Sequence, residues 1–217
     1  MVEHTLDGAF YAYTHLPTEH GTFDLRVFQE GGKEHLLISM GPLKDAKALP
    51  VRVHSECLTG EVLGSLKCDC KPQLHAALNF VAECGHGAVI YLRQEGRGIG
   101  LGNKIRAYRL QEEGYDTVDA NRALGFGDDL RSYAVAAEML NAAGVESVRL
   151  MTNNPLKIEG LRAEGIAVEG RIEISVGENT VNTGYLETKR VRMGHLLDEQ
   201  RPVAFVRRIQ KPHLALA

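Results

Sequence analysis

Short apolar runs of strand length alternate with helical segments through the middle of this 217-residue chain. The run GAVIYLR at residues 87–93 is one such strand, and the helical segments before and after it each end at a glycine, a common helix terminator. Because alternating strands and helices pack as helices on both faces of a sheet, the sequence predicts an α/β fold, a layered α-β-α domain. The predicted strands are 51–56, 87–93, 147–152 and 171–176, and the predicted helices are 73–85, 103–114, 128–144, 155–165 and 182–197.

The stretch TFDLRVFQEGGKEHLLISMG at residues 22–41 predicts an antiparallel hairpin, because two strand-like runs flank a Gly-Gly turn. This N-terminal hairpin adds antiparallel pairing, so the expected sheet is mixed. The sequence contains no internal repeat, low-complexity tract or Gly/Ser linker. We therefore expect one catalytic domain over residues 1–200, followed by an irregular and partly disordered tail over residues 201–217.

The charge balance limits the partners that the chain can attract. Its 25 Lys and Arg residues and 28 Asp and Glu residues give a net charge of -3, so no global basic field draws it to nucleic acid. The sequence has no apolar run of about 18 residues or more, and its start lacks the basic and apolar regions of a secretory signal. These patterns predict a cytoplasmic protein with no membrane partner, in which thiols stay reduced.

Three of the four cysteines lie in the stretch ECLTGEVLGSLKCDCKPQL at residues 56–74. In a reducing compartment this grouping of Cys57, Cys68 and Cys70 favours a metal site over a disulfide, and zinc is the metal that best suits thiolates. Three protein ligands and a water are typical of a catalytic zinc site, where the pKa of the water falls to about 7. Two alternatives stay open: His54 or His75 closes a structural site, or the three thiols are buried hydrophobic side chains.

The fourth cysteine, Cys84, lies on the apolar predicted helix and is expected to be a small core residue. The stretch RQEGRGIGLGNK at residues 93–104 places four glycines between a strand and a helix, a setting that suits an anion. It is not a Walker A loop, because Lys104 follows Asn and precedes Ile, and it lacks the dinucleotide-binding spacing. A plain mobile loop is the alternative for this stretch.

Two further helix starts carry polar residues that suit either an anion site or an ordinary cap. Asn153 and Asn154 precede a helix whose first residue is Pro155, with Lys157 in its first turn. In the second, either of two aspartates in GDDLR at residues 127–131 suits an N-cap. Two residues apart on a regular helix, the side chains of the second aspartate and of the arginine would diverge by about 200°. They can share a site only if that aspartate lies at or before the cap.

Taken together, these stretches closely resemble the GTP cyclohydrolase II family of riboflavin biosynthesis. The motifs that carry the resemblance are RVHSECLTG, CDC, RQEGRGIGL, NKIRAY, GYDTVDAN, LGF, TNNP and MGHLL, and they lie between residue 51 and residue 197. Many relatives fuse this domain to a dihydroxybutanone-phosphate synthase domain. The length of this chain suggests the single-function form.

The resemblance implies a hydrolase that removes C8 of GTP as formate and the outer phosphates as diphosphate, giving 2,5-diamino-6-(5-phospho-ribosylamino)pyrimidin-4(3H)-one. It also implies one Zn²⁺ per chain on the three cysteines of the motifs, Mg²⁺ with the triphosphate, and a homodimer. The catalytic positions that it implies are Tyr108 for transition-state support, Asp129 as proton acceptor and Arg131 as nucleophile at the α-phosphate. The positions that it implies for GTP are Arg52, Val53, His54, Ser55, Glu56, Gln73, Glu95, Gly96, Arg97, Thr117, Thr152 and Lys157.

One departure from the family pattern leaves the product open. Lys71 and Pro72 follow the CDC motif, where the family usually has glycine. A variant enzyme that stops at the formamidopyrimidine product is therefore an alternative. Tyr115 lies in a second segment that bears on which product forms. A zinc-stapled module that binds nucleotide or RNA without turnover is a further alternative, which the net acidity and the retained catalytic positions disfavour. Because the pKa of arginine lies above about 12, pure electrostatic stabilisation by Arg131 rivals the nucleophilic role.

Overall fold

The computed structural model describes residues 9–127 and 129–196. Within these residues the chain forms one mixed sheet of seven strands. Its strand order is β1-β2-β3-β5-β4-β6-β7. The first three strands and the β3–β5 pair are antiparallel, whereas β5, β4, β6 and β7 run parallel to one another. The mixed sheet that the sequence predicts is therefore confirmed. The strands are β1 Ala12–Thr18, β2 Gly21–Glu30, β3 Lys33–Met40, β4 Leu49–Ser55, β5 Gly87–Leu92, β6 Ser147–Met151 and β7 Ala167–Ile172.

The predicted hairpin is formed by β2 and β3. Gly31 and Gly32 connect them with φ angles of +55° and +76°, the left-handed pair that a tight two-residue hairpin turn requires. Strand β1 was not predicted, and it pairs with β2 at the edge of the sheet. Five of its seven residues are exposed, so it lacks the buried apolar alternation by which a strand is recognised.

Helices cover both faces of the sheet, as predicted. The helices are α1 Leu58–Glu61, α2 Cys70–Cys84, α3 Gly100–Glu112, α4 Thr117–Ala123, α5 Ala134–Ala142, α6 Pro155–Ala163 and α7 Thr183–Met193, with a 3-10 turn at Glu95–Gly98. On one face, α2 packs with Val89 of β5, and on the other face α5 and α6 pack with its neighbour Ile90. Both β5 side chains are fully buried, which is the mark of a strand covered on two sides. None of the described helices is long and apolar enough to cross a membrane.

Two predicted boundaries are wrong for physical reasons. The helix predicted over 128–144 begins only at Ala134, because the Asp129 carboxylate accepts the backbone N–H of Arg131 and so competes with helical hydrogen bonding. The strand predicted over 171–176 is instead Ala167–Ile172, because its partner β6 ends at Met151.

Two smaller predictions also fail. Helix α4, which is capped by the Asp116 carboxylate, was missed because it has only seven residues and a weak apolar pattern. Cys84 is exposed and not in the core, because it is the last residue of α2, directly before the Gly85 cap. The division into a domain and a tail stays a prediction, since residues 197–217 lie outside the described residues.

Close packing against Gly160 of α6 leads to a stability prediction. A β-carbon on Gly160 of α6 would lie 2.4 Å from Cδ2 of Tyr133. Alanine normally stabilises a helix interior relative to glycine, but here the added carbon must displace a buried ring. We expect Gly160→Ala to lower the free energy of unfolding by about 1–3 kcal/mol, measured by urea denaturation.

The matched control is Gly102→Ala at a helical position of α3, where an added β-carbon meets no atom within 4 Å. We expect this variant to be neutral or more stable by about 0.5–1 kcal/mol. A Gly160→Ala variant as stable as the Gly102→Ala variant would contradict the packing argument.

Candidate active site

The principal cleft lies at the carboxyl ends of three adjacent parallel strands. Residues that follow β4, β5 and β6 all reach it, which is where open α/β sheets usually bind ligands. All the predicted site residues line this cleft except Val53 and Asp129. Val53 is buried in β4 and its carbonyl accepts a hydrogen bond from Nζ of Lys157 at 2.7 Å, whereas Asp129 contacts the cleft through Arg131. The cleft is also lined by Asp69, Ile99, Lys104, Ala107, Gln111, Asn121, Asn153, Asn154, Ile174, Tyr185, Lys189, Met193 and His195.

The three clustered cysteines converge at one end of α2. The Sγ atoms of Cys57, Cys68 and Cys70 all lie within 4.8 Å of one another, and those of the first two are 3.6 Å apart. A tetrahedral metal with bonds of about 2.3 Å would separate two sulfurs by about 3.8 Å, so the cluster fits a zinc-sized ion. No fourth His, Cys, Asp or Glu ligand joins the group within residues 9–127 and 129–196.

The two histidines considered as a fourth ligand are engaged elsewhere. Nε2 of His54 lies 2.7 Å from Oε1 of Glu61, and the other oxygen of that carboxylate accepts the hydroxyl of Tyr91 at 2.5 Å. His75 belongs to a separate group of potential metal ligands, which does not include the three cysteines. Burial lowers the pKa of His54, so its ring is neutral at pH 7. The structure therefore gives no support to a site closed by either histidine.

The thiol cluster has a close-fitting support. A β-carbon on Gly60 would lie 2.8 Å from Sγ of Cys68 and 3.2 Å from Sγ of Cys57, so only glycine fits beneath these thiols. Nζ of Lys104 donates to Sγ of Cys57 at 3.1 Å and to Oε1 of Glu95 at 2.8 Å. Hydrogen bonds from the other two thiols, assisted by the Lys104 ammonium, hold the pKa of the Cys57 thiol far below its usual value. The cluster is thus arranged to hold a thiolate.

A buried ion pair joins the CDC motif to α7. Nζ of Lys189 donates to Oδ1 of Asp69 at 2.6 Å, and Nε2 of Gln73 donates to Oδ2 of the same carboxylate at 2.5 Å. The amide oxygen of Gln73 in turn accepts from Arg52, which also donates to the carbonyl of Met151 at 2.8 Å. This chain of contacts fixes the position of α7 over the cleft relative to the sheet.

Positive charge dominates the polar wall of the cleft. Arg52, Lys157 and Lys189 are buried, and Arg131 lines the same cleft. Burial, followed by repulsion from the neighbouring arginines, lowers the pKa of Lys157. Among the described residues, Nη1 of Arg97 is buried without a hydrogen-bond partner. Such a wall is suited to an anion that brings its own negative charge.

Asp129 and Arg131 form the pair that the sequence allowed only under one condition. Because α5 starts at Ala134, both residues precede the helix, and the guanidinium Nε lies 2.8 Å from Oδ1 of the carboxylate. The glycine-rich stretch supports this segment: the Arg97 carbonyl accepts the N–H of Leu130 at 3.1 Å. The pair holds the pKa of Asp129 below its usual value and that of Arg131 above it, so both groups stay charged.

The departure after the CDC motif has little effect on the cleft. Pro72 occupies the third position of α2, in the first turn, where a missing N–H breaks no helical hydrogen bond. Its ring packs against Gly177, where a β-carbon would lie 2.7 Å from it. Lys71 is exposed and does not line the cleft. The three thiols converge in this structure with the unusual dipeptide in place.

Several residues of the site were missed by the sequence reasoning. Tyr185, Lys189 and Met193 of α7 follow one another at intervals of four residues, and all three line the cleft. That spacing places them on one helix face and was available from the sequence, although nothing in it showed which partner the face covers. Asp69, by contrast, carried no signal of its own beyond its place between two cysteines.

Comparison with known proteins identifies several relatives. The family model of GTP cyclohydrolase II matches residues 10–173. GTP cyclohydrolase-2 of Teredinibacter turnerae is 53% identical over 185 residues, which cover 84% of this chain and 93% of the relative. Riboflavin biosynthesis protein RibBA of Bacillus velezensis is 52% identical over 185 residues, so this chain spans 46% of that longer relative. Among solved structures, a two-domain 3,4-dihydroxy-2-butanone 4-phosphate synthase from A. baumannii aligns over 77% of this chain and 40% of its own, with 22% identity and a TM-score of 0.40.

The burial of His195 in the cleft leads to a prediction on how the free energy of unfolding depends on pH. Burial, together with the positive charges of Lys189 and Arg131, lowers the pKa of His195 from 6.5 to about 3. Between these two values the unfolded chain binds a proton that the folded protein excludes, so stability falls as the pH falls from about 6.5. One such site contributes at most about 1.4 kcal/mol per pH unit.

We expect His195→Asn to flatten the decline of the unfolding free energy between about pH 6.5 and pH 5, followed by urea denaturation at each pH. His15→Asn on the exposed side of β1 is the control and should not flatten it. Equal slopes for the wild type and the His195→Asn variant would show that His195 is not the group excluded from protonation.

Proposed function

The chain belongs to the GTP cyclohydrolase II family of riboflavin biosynthesis, and we propose that it opens the imidazole ring of GTP. In this reaction C8 leaves as formate, the outer phosphates leave as diphosphate, and the product is 2,5-diamino-6-(5-phospho-ribosylamino)pyrimidin-4(3H)-one. The observation that supports the proposal best is that a three-thiol cluster and a wall of buried cations line one cleft. Opening the purine ring calls for the metal that the thiol cluster could hold. Binding the triphosphate calls for the buried cations.

We propose that Cys57, Cys68 and Cys70 hold zinc, because three thiols without a fourth protein ligand in the described residues match a catalytic zinc site. When bound, the zinc ion supplies an activated water for attack on C8. Lys104 prepares the site by favouring the thiolate of Cys57, and Glu95 fixes the Lys104 ammonium in place. Because Glu95 also accepts the N–H of Leu58 at 2.7 Å, this pair ties α3 to the cysteine loop.

Two side chains of the cleft are suited to the chemistry at the ring, one as a hydrogen-bond donor and the other in proton transfer. Burial raises the pKa of Tyr108 to about 12, so its hydroxyl remains a hydrogen-bond donor at neutral pH. Tyr108 can therefore stabilise negative charge that develops on the opening ring. The carboxylate of Glu56 lines the same cleft and accepts from Nε of Arg93 at 2.9 Å, and we assign proton transfer at the ring to this group.

We propose that the triphosphate binds the cationic wall together with Mg²⁺, which would neutralise part of its negative charge. Arg97 offers a buried Nη1 with no partner in the described part of the chain, and Lys157 presents an ammonium whose pKa is lowered by burial. A polyanion beside these groups would restore the preference of Lys157 for its charged form. The remaining cleft residues implied for GTP, including Thr117 and Thr152, are proposed to orient the base and ribose.

For Arg131, the ion pair favours electrostatic stabilisation over a nucleophilic role. A guanidinium that donates to the Asp129 carboxylate keeps its proton, and a protonated guanidinium has no lone pair for attack on phosphorus. We therefore propose that Arg131 spreads the charge of the departing diphosphate, while Asp129 fixes its orientation. A homodimer and a cytoplasmic location remain predictions, and the positions of Lys71 and Pro72 give no support to a product that retains the formyl group.

The first experiment identifies the products. The zinc-loaded protein is incubated with GTP and Mg²⁺, and we expect formate and diphosphate in equal amounts with the deformylated pyrimidine, identified by mass spectrometry. Removing the metal with a chelator should abolish formate release and leave the far-UV circular dichroism unchanged, because a three-ligand catalytic site does not hold the fold together.

Matched cysteine variants locate the metal in this experiment. Cys57→Ser should lose both metal and formate release, whereas Cys84→Ser, at an exposed position at the end of α2, should keep both. A formamidopyrimidine product would favour the variant reaction, and unchanged GTP would favour the binding module without turnover.

The role proposed for Arg131 is tested by substitution and by trapping. Arg131→Lys keeps the charge and loses the two-point contact with Asp129, so we expect kcat/KM to fall by about 10²–10³-fold. Arg149→Lys, on an exposed position of β6, is the control and should have no effect. Acid-quenched wild-type enzyme should carry no nucleoside monophosphate adduct in its intact mass. An adduct on the peptide that contains Arg131 would restore the nucleophilic role.

A further inference from the structure

A second group of metal-ligating side chains lies outside the cleft, where the β1–β2 turn meets α2. Ligand atoms of Glu19, His20 and His75 all lie within 4.8 Å of one another. Nε2 of His20 is 3.6 Å from Oε1 of Glu19, and Nδ1 of His75 is 4.0 Å from the same oxygen. Both gaps are too long for hydrogen bonds and close to the separation of about 3.4 Å that ligands on one tetrahedral ion with bonds of about 2.1 Å would show.

The tautomer of His20 is fixed by a neighbour. Its Nδ1 lies 2.7 Å from the amide oxygen of Asn79, which can only accept, so Nδ1 carries the hydrogen. In the neutral ring Nε2 is then the nitrogen with the free lone pair, and it faces the Glu19 carboxylate. A histidine whose second nitrogen donates to an oxygen in this way is the usual arrangement of a metal-ligating imidazole.

Contacts with α2 already place His20 and His75 beside each other without a metal. His75 and Asn79 are four residues apart on α2 and so lie on one face of that helix. Gly21, the first residue of β2, contacts the same helix: a β-carbon there would lie 3.7 Å from Cβ of Ala82, an ordinary van der Waals distance, and 2.8 Å from Cε of Met40 in β3. The two histidine rings already contact each other edge to face, with centroids 4.9 Å apart.

We propose that Glu19, His20 and His75 form a second binding site, for a borderline divalent transition ion such as Zn²⁺ or Co²⁺. Two imidazoles and one carboxylate suit these ions, whereas Mg²⁺ and Ca²⁺ prefer all-oxygen ligands. The exposed fractions of the three side chains rise from 10% for His20 to 38% for His75 and 75% for Glu19, so the ion has access from solvent. Bound there, it clamps the β1–β2 turn onto the helix that begins at Cys70. This site does not depend on the proposed function.

The test is a Zn²⁺ titration of tag-free protein whose thiol cluster has first been loaded with zinc. Isothermal titration calorimetry should detect one additional ion per chain. A free Zn²⁺ concentration of about 100 times the dissociation constant of this site should raise Tm by about 5–10 °C. With Co²⁺ as the probe, the added site should give weak d–d absorption and no sulfur-to-cobalt charge-transfer band, which separates it from the thiol cluster.

Variants of the ligands and of the supporting amide distinguish this site from adventitious binding. His20→Gln, His75→Gln and Glu19→Gln should each weaken the additional site by about tenfold or more, and Asn79→Ala by about tenfold through loss of the fixed tautomer. His15→Gln, an exposed histidine on β1, should leave it unchanged, and Cys57→Ser should remove only the ion of the thiol cluster. The proposal is overturned if the wild type binds no additional ion, or if binding survives both histidine substitutions with the fold intact by circular dichroism.

Discussion

The carboxylate of Asp69 is the contact on which the arrangement of the cleft depends. Asp69 lies between Cys68 and Cys70 in the sequence, is buried, and binds Lys189 on one oxygen and Gln73 on the other. Through Gln73 and Arg52 the same chain of hydrogen bonds reaches the end of β6. A buried carboxylate is stable only when its lone pairs are satisfied in this way. The helix over the cleft, the cysteine loop and the sheet are therefore held in register by one group, although these elements are far apart in sequence.

The wall of buried cations in the cleft shows how folding stability is exchanged for anion binding. Lys157 is buried, and its ammonium donates to a backbone carbonyl, while Arg52 and Arg131 raise the local positive potential. In a protein without a ligand this arrangement costs folding free energy, because buried charge of one sign is only partly compensated. A bound polyanion would remove that cost, so part of the free energy of binding such a ligand would come from relief of this repulsion. Active sites of marginally stable proteins commonly show this exchange.

The sequence was sufficient for the features that depend on local patterns. Buried strands such as β5, the Gly-Gly hairpin and the grouping of three thiols each follow from residue type and spacing. The errors arise where a long-range partner decides the structure. The segment before Ala134 has helical propensity, but the hydrogen bonds of the Asp129–Arg131 pair keep it out of the helix. Strand β7 ends where β6 can no longer pair with it. The face of α7 was visible as a spacing, but its partner Asp69 lies 120 residues earlier.

The position of Cys70 has a consequence for how fast the thiol cluster would exchange an ion that it holds. Cys70 is the first residue of α2, so its release from a bound metal and the fraying of the first helical turn are the same movement. Pro72 opposes that fraying, because its fixed φ already matches the helix and leaves the unwound chain with fewer conformations. Pro72 would therefore slow the exchange of an ion held by the three thiols. An ion held in this way would have a long residence time even where its equilibrium affinity is ordinary.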